Sequence, residues 1–316
     1  MFGLFVTAPL VAEFLLGDFS IKMLSILIVI APMYGGGALL IRELVRRTGR
    51  GWPTILLLAM AYAIVEEAFT TQSLFNANYM NLNLGLLKPA FIPAFGIGGW
   101  WTLWMLMVHA IWSISTPIAL IEACVPQRAR TPWTGHIGLA ALSIVFLFGA
   151  VIGTLINYKM NHFMASRAQF GWAAVAVVLL IVAAFSIPAR RQGTKEGEAP
   201  SAWVVGGVSL MLASAAMLVP PNWGWGAVAT LLALVVSMLL ITAWWMRKGS
   251  LTIRHQLAMG AGAALTYGWH AFLMKPVVGT ADTTYRVGNG ILLAGVIILV
   301  AFAAIRSNPE PCTSLA

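Results

Sequence analysis

Apolar runs long enough to cross a bilayer recur along the whole chain, and that repetition constrains the fold more than any single residue. A crossing helix needs about 20 apolar residues. Nine such stretches are read, at about 20–41, 53–74, 100–125, 137–158, 170–188, 203–220, 224–246, 255–275 and 287–306. The runs are continuous, whereas a β-barrel would alternate in short segments. With 60% hydrophobic and only 9% charged residues, the composition is not that of a soluble domain. The expected fold is all-α: one integral membrane domain over 1–316, a polytopic helix bundle.

Basic residues divide between alternate connections. One side holds Arg42, Arg46, Arg47, Arg50, Arg128, Arg130, Arg190, Arg191, Lys195, Arg247, Lys248, Arg254 and Arg306, 13 of the 19 Lys and Arg. The positive-inside rule makes that side, and the C-terminus with it, cytoplasmic. The net charge of +9 therefore reads as topological and not as a nucleic-acid surface. The first segment, "MFGLFVTAPLVAEFLLGD", is short for a span and contains Pro9 and Glu13. It is expected as a half-helix or interfacial helix on the outer side, or else as a tenth span, with Asp18 or Ser20 capping the first full one. The connection "ARRQGTKEGEAPSA" reads as a flexible linker. Cys124 and Cys312 form no disulfide or metal pattern, and Cys312 misses the prenylation spacing.

Costly polar groups gather in the first half. Residues 1–165 carry Glu13, Tyr34, Glu66, Glu67, His109, Asn157 and His162, while 166–316 read mostly as apolar scaffold, apart from Tyr267 and His270. A carboxylate in hydrocarbon costs roughly 3 kcal/mol or more, so such residues face a partner or a wet cavity. On the second span Tyr62, Glu66, Thr70 and Ser73 fall on one helical stripe. On the third, Thr102, His109, Ser113 and Thr116 do the same. At 1.5 Å per residue, Glu66 and His109 come to similar depth, roughly 9–13 Å below the outer ends of their spans. Glu67 points about 100° from Glu66 on an α-helix. One acid is therefore expected to be the chemical group and the other its packing or hydrogen-bonding partner.

Two further features bear on function. "APMYGGGALL" places Pro32 before Gly35, Gly36 and Gly37, which suits either close packing against a neighbour or a broken helix that binds substrate. The connection 75–99 is long and repeats Asn at 76, 78, 81 and 83, as a lid or re-entrant piece would.

Through "GALLIREL", "GWPTILLL", "EEAFTTQSLFN" and "HAIWSISTPIAL" the chain resembles uncharacterised bacterial multi-pass membrane proteins. That resemblance implies a bacterial inner-membrane location and no particular activity. More distantly, Glu66–Glu67 on one span and His109 on the next are similar to the CAAX-protease and bacteriocin-processing family of intramembrane peptidases. The departures are specific. Thr71 stands where that family has Arg, Met105 and Leu106 supply no Phe before the His, and no His-x-x-x-Asn follows.

Three functions accommodate these groups. The first is an intramembrane hydrolase using Glu66, Glu67 and His109, supported by Tyr62, Thr70, Ser73, Trp112, Ser113 and Tyr34. Glu66, His109 and His270 are then the candidate ligands for a divalent metal, the one cofactor considered. The second is a proton-coupled transporter using the same acids and imidazole. The third is a non-catalytic binder. The expected partners are the bilayer and a lipid, peptide or small molecule, with no nucleic acid.

Overall fold

The computed structural model describes residues 1–189 and 199–307. Arg190, Arg191 and Lys195 of the linker, and Cys312, lie outside the described residues. Eleven α-helices follow in chain order among those described: α1 (Phe2–Pro9), α2 (Leu27–Arg47), α3 (Trp52–Ile64), α4 (Gly99–Val108), α5 (Thr116–Cys124), α6 (His136–Asn161), α7 (Arg167–Ser186), α8 (Ala202–Met217), α9 (Trp225–Lys248), α10 (Ile253–His270) and α11 (Thr283–Arg306). Three π-helical segments extend them: π1 (Leu10–Leu15) after α1, π2 (Val65–Thr70) after α3, and π3 (His109–Ser115) joining α4 to α5.

The helical membrane bundle is as the sequence implies, but the number of spans is not. Seven helices among the described residues are long and apolar enough to cross a membrane: Ile21–Arg47, Trp52–Thr70, Gly99–Cys124, His136–Asn161, Arg167–Ser186, Trp225–Lys248 and Thr283–Arg306. The expected span at 203–220 is the 16-residue α8, closed off before Pro220 and Pro221, which cannot continue a helix. The expected span at 255–275 ends at His270, as the 18-residue α10. Its glycines sit against neighbouring helices. A Cβ on Gly260 would lie 3.0 Å from Ala119, and one on Gly262 would lie 2.7 Å from the Gly206 carbonyl. Such small residues let helix backbones approach closely where lipid offers no hydrophobic drive.

The N-terminal segment, Phe2–Leu15, is short, as read, but it is packed within the bundle and runs between its two ends instead of lying at an interface on one side. Leu4, Ala8, Val11, Phe14 and Leu15 are buried. Gly3 neighbours Ile121 near the end of α5, and Gly17 meets Tyr285 and Ala271 at the opposite end. The glycines of "APMYGGGALL" make room for this segment. Cβ atoms built on Gly35, Gly36 and Gly37 would meet the Phe5 backbone at 2.1 Å, the Phe146 backbone at 3.4 Å and the Tyr62 ring at 2.6 Å. Helix α2 is continuous from Leu27 to Arg47, so the glycines serve close packing and the helix is not broken there. Ser20, not Asp18, caps the turn that leads into it, accepting from the Lys22 amide.

Helix α2 ends among arginines, but these are not all loop residues facing water. Arg42, Glu43 and Glu122 are 0% exposed. The Arg46 guanidinium donates to both Glu122 oxygens, at 2.8 and 2.7 Å. Arg42 donates to Glu122 at 3.1 Å, to Glu43 at 2.5 Å, and to the carbonyls of Arg128, Ala129 and Thr131. Glu43 accepts from the Trp133 and Thr134 amides, and the Trp133 ring lies 3.4 Å from the Arg42 guanidinium carbon. Gln256 joins α10 to this network by donating to Glu122. Buried charges are tolerated where hydrogen bonds compensate them in this way. We call this the arginine end of the bundle.

The connection 75–99 leads away from the other end. It holds a 3₁₀ turn at Tyr79–Asn81 and a two-stranded hairpin, β1 (Phe91–Ile92) and β2 (Ile97–Gly98). It docks on the end of α6, where the Met80 amide donates to Asn161 and Asn81 donates to the Met160 carbonyl.

Candidate functional site

The three π segments carry the acids and the imidazole. Glu13 lies in π1, Glu66 and Glu67 lie in π2, and His109 begins π3. A π turn inserts an extra residue, costs helix stability, and recurs at functional sites. In π2 the Thr71 amide donates to the Glu66 carbonyl at 2.8 Å, five residues back.

Depth and facing agree with the stripes read on the second and third spans. Glu66, Glu67 and His109 are 3%, 5% and 6% exposed. His109 Nδ1 lies 3.1 Å from Glu66 Oε2, and Nε2 lies 2.7 Å from Glu67 Oε1. Glu67 is the more heavily hydrogen-bonded of the two acids, held by His109, Thr71 and Ser73. The two carboxylates do diverge around the helix, but an imidazole offers a nitrogen on each edge. His109 fits between them, hydrogen-bonded to Glu67 through Nε2 and with Nδ1 3.1 Å from Glu66.

Hydroxyls fix this array. Ser113 Oγ lies 3.0 Å from His109 Nδ1. Thr71 and Ser73 both donate to Glu67 Oε2, Thr71 at 3.0 Å, and the Trp101 indole N–H donates to Ser73 at 3.1 Å. Tyr34 and Tyr62 pack their rings 6.1 and 6.3 Å from the imidazole. The Tyr34 hydroxyl donates to Glu13. The Tyr62 hydroxyl and Glu66 Oε2 are buried with no hydrogen-bond partner.

Thr70, Trp112 and His270 are not brought to this array. Thr70 turns away, its methyl abutting Gly153, while Thr71, four residues after Glu67, bonds that acid. Trp112 faces α10, where it stacks on Tyr267 at 4.7 Å and donates to the Ala263 carbonyl. His270 packs edge-on to Trp269 and lies outside the Glu66–Glu67–His109 cluster. Two groups join that the stripes did not include. Thr71, met in the sequence only where an Arg was looked for, bonds Glu67. Glu13 arrives on the N-terminal segment; its signal was an acid inside a short apolar run.

A neutral imidazole has one N–H and can donate to only one carboxylate. Nε2 shares a hydrogen bond with Glu67, and Nδ1 faces both Glu66 Oε2 and the Ser113 hydroxyl, so either tautomer of the ring finds a polar neighbour at each nitrogen. Ligand atoms of Glu66, Glu67 and His109 also lie within 4.8 Å of one another, and their oxygen and nitrogen donors are those that transition-metal dications accept.

No curated protein and no solved structure matches the chain. One family model matches residues 3–308, nearly the whole chain, including both site-bearing spans and the N-terminal acid. A multi-pass helical chain with a buried acid–imidazole array, it belongs to this uncharacterized membrane protein family.

Proposed function

We propose that the protein is an intramembrane hydrolase, peptidase-like, whose acid–base centre is the Glu66–His109–Glu67 array. The observation that carries the reading is the bracketing of one buried imidazole by two carboxylates. Glu66, whose Oε2 makes no hydrogen bond though it lies 3.1 Å from His109 Nδ1, is the base that takes a proton from water. Glu67, held by Thr71, Ser73 and His109, keeps the ring oriented. The unpartnered Tyr62 hydroxyl is a donor ready for developing negative charge on a substrate carbonyl.

Packing favours access from one end only. Toward the arginine end the path is filled by the contacts of Gly35–Gly37, and beyond them by the Arg42–Glu122–Arg46 network. A transporter needs a path to both sides, which this packing does not favour. We place the protein in a bacterial cytoplasmic membrane with the arginine end inside, so that substrates reach the site from the outer half.

The test compares membrane peptides from cells making the wild-type chain with those from cells making His109→Asn or Glu66→Gln at equal levels. New termini within the outer halves of membrane segments should appear with the wild type alone. Identical peptide sets from all three would overturn the reading.

A further inference from the structure

We propose that the hairpin β1–β2 is seated in the lipid leaflet at the end of the bundle opposite the arginines, where its apolar tip meets acyl chains. The inference goes beyond the hydrolase reading and does not rest on it.

The connection 75–99 divides into two chemistries. Its first half carries Asn76, Asn78, Asn81 and Asn83 and docks on the end of α6. The last ten residues, "AFIPAFGIGG" over 90–99, contain no polar side chain. Turns that face water draw on Asn, Asp and Ser as well as Gly and Pro, and those polar members are missing here. Yet this turn is open to the exterior. Phe91 is 47% and Phe95 42% exposed, and Pro93 and Ala94 between them are exposed too. The backbone suits a surrounding poor in water. Phe91 pairs with Gly98 and Ile92 with Ile97, the Phe95 and Gly96 amides donate to the Ile92 carbonyl, and Pro93 has no N–H. Backbone groups satisfied within the hairpin remove the main cost of bringing a loop to lipid.

Depth sets that tip beside the hydrocarbon. Helix α7 has 20 residues, about 30 Å at 1.5 Å each, which matches the core of a bilayer. Trp172 lies roughly 7–8 Å inside its first residue, Arg167, by the same rise, and is 56% exposed. Phe95 packs edge-on against Trp172, with ring centroids 5.9 Å apart. Gly96 faces Gln169 nearer the helix start, where an added Cβ would lie 2.9 Å from the side-chain amide. The hairpin therefore lies alongside the first turns of α7 and not above them. Trp172 also lines an open apolar groove with Ala168, Gly171 and Val175, the place for an acyl chain beside the Phe95 ring. This surface continues into the lipid-facing side of α7, where Val175, Val178 and Leu179 are exposed. Lys88 before the hairpin and Arg167 at the start of α7 are exposed as well. Cations at that level meet lipid phosphates while aromatic rings sit just below them. Continuity with a membrane-spanning helix and this pairing of cations with aromatics make the occupant phospholipid.

The test is spin labelling of the full chain in phospholipid nanodiscs, with Cys124 and Cys312 replaced by Ser. Single labels at Ala94→Cys, Val178→Cys and Ala77→Cys report collisions with oxygen, which concentrates in hydrocarbon, and with a water-soluble nickel chelate. The oxygen-to-nickel ratio at 94 should shift away from that at 77, on the Asn-rich half, toward that at 178 in the middle of α7. A ratio at 94 equal to that at 77 would overturn the proposal. The unsubstituted chain supplies a second measurement. Phospholipid carrying a photoactivated carbene precursor in its acyl chain should modify residues 91–95, with the adducts mapped by mass spectrometry. Adducts on the spans but none on 91–95 would mean that water, a second copy or another protein covers the hairpin, and would equally overturn it. If a labelled variant fails to fold, the carbene map decides alone. Peptide cleavage is read in neither measurement, so failure here and failure of the hydrolase reading are distinct.

Discussion

Among single residues, the energetics turn on charge compensation. Glu66 and Glu67 are affordable because His109 and several hydroxyls face them. Removing the ring leaves two adjacent buried acids without the one cationic group beside them, with only the Thr71 and Ser73 hydroxyls on Glu67. His109→Ala should therefore lower unfolding stability by about 3–5 kcal/mol. The neutral triple variant Glu66→Gln/Glu67→Gln/His109→Gln should be more stable than His109→Ala, because no buried charge is stranded. Denaturant unfolding in micelles measures both, and a triple variant weaker than His109→Ala would contradict the compensation argument. The acids and the imidazole were legible in the sequence because ionisable groups inside apolar runs are costly and few. Trp112, expected to support the site, does not reach it. In the structure its indole N–H finds the Ala263 carbonyl on α10 instead.

At the scale of the element, three π segments decide which side chains meet. Heptad-like spacing gave the stripes of the second and third spans, and it works as far as the helix stays α. It fails at Thr70, whose methyl abuts Gly153, and it passes over Thr71, which bonds Glu67 four residues back. Nothing in the spacing of "VEEAFTT" signals the π turn at Val65–Thr70, so that feature was not legible. The glycines of α2 were legible as a contact surface, while their partner, the N-terminal segment, was not. Gly35→Ala puts a methyl 2.1 Å from the Phe5 carbonyl, whereas Gly36→Ala meets the Phe146 backbone at an ordinary 3.4 Å. Overpacking of the first kind costs about 1–3 kcal/mol. Gly35→Ala should thus lower the melting temperature clearly and Gly36→Ala little, with thermal melts in detergent as the check. Equal melts would mean that Phe2–Pro9 does not sit on α2.

In the whole molecule, polar chemistry is layered. The arginine end is locked by Arg42, Arg46, Glu43 and Glu122, the middle by glycine contacts, and the acid–imidazole array lies beyond them. Reading the basic residues as markers of topology hid the first layer. Arg42 and Arg46 are helical and buried, and the acid they share, Glu122, stands 80 and 76 residues away in sequence. The fold class was plain from repeated apolar runs. The exact spans were not, because α8 is cut short by prolines and α10 is an interior helix with a polar, glycine-rich composition. The account depends throughout on one imidazole engaged from both edges. Solid-state NMR on the protein in bilayers, with ¹⁵N-histidine and ¹³C-carboxyl glutamate labels, measures this directly. His109 Nδ1 should show dipolar contact to the Glu66 carboxyl carbon and Nε2 to that of Glu67, each contact vanishing in the matching Glu→Ala variant. A ring nitrogen with no carboxyl carbon beside it would contradict the account.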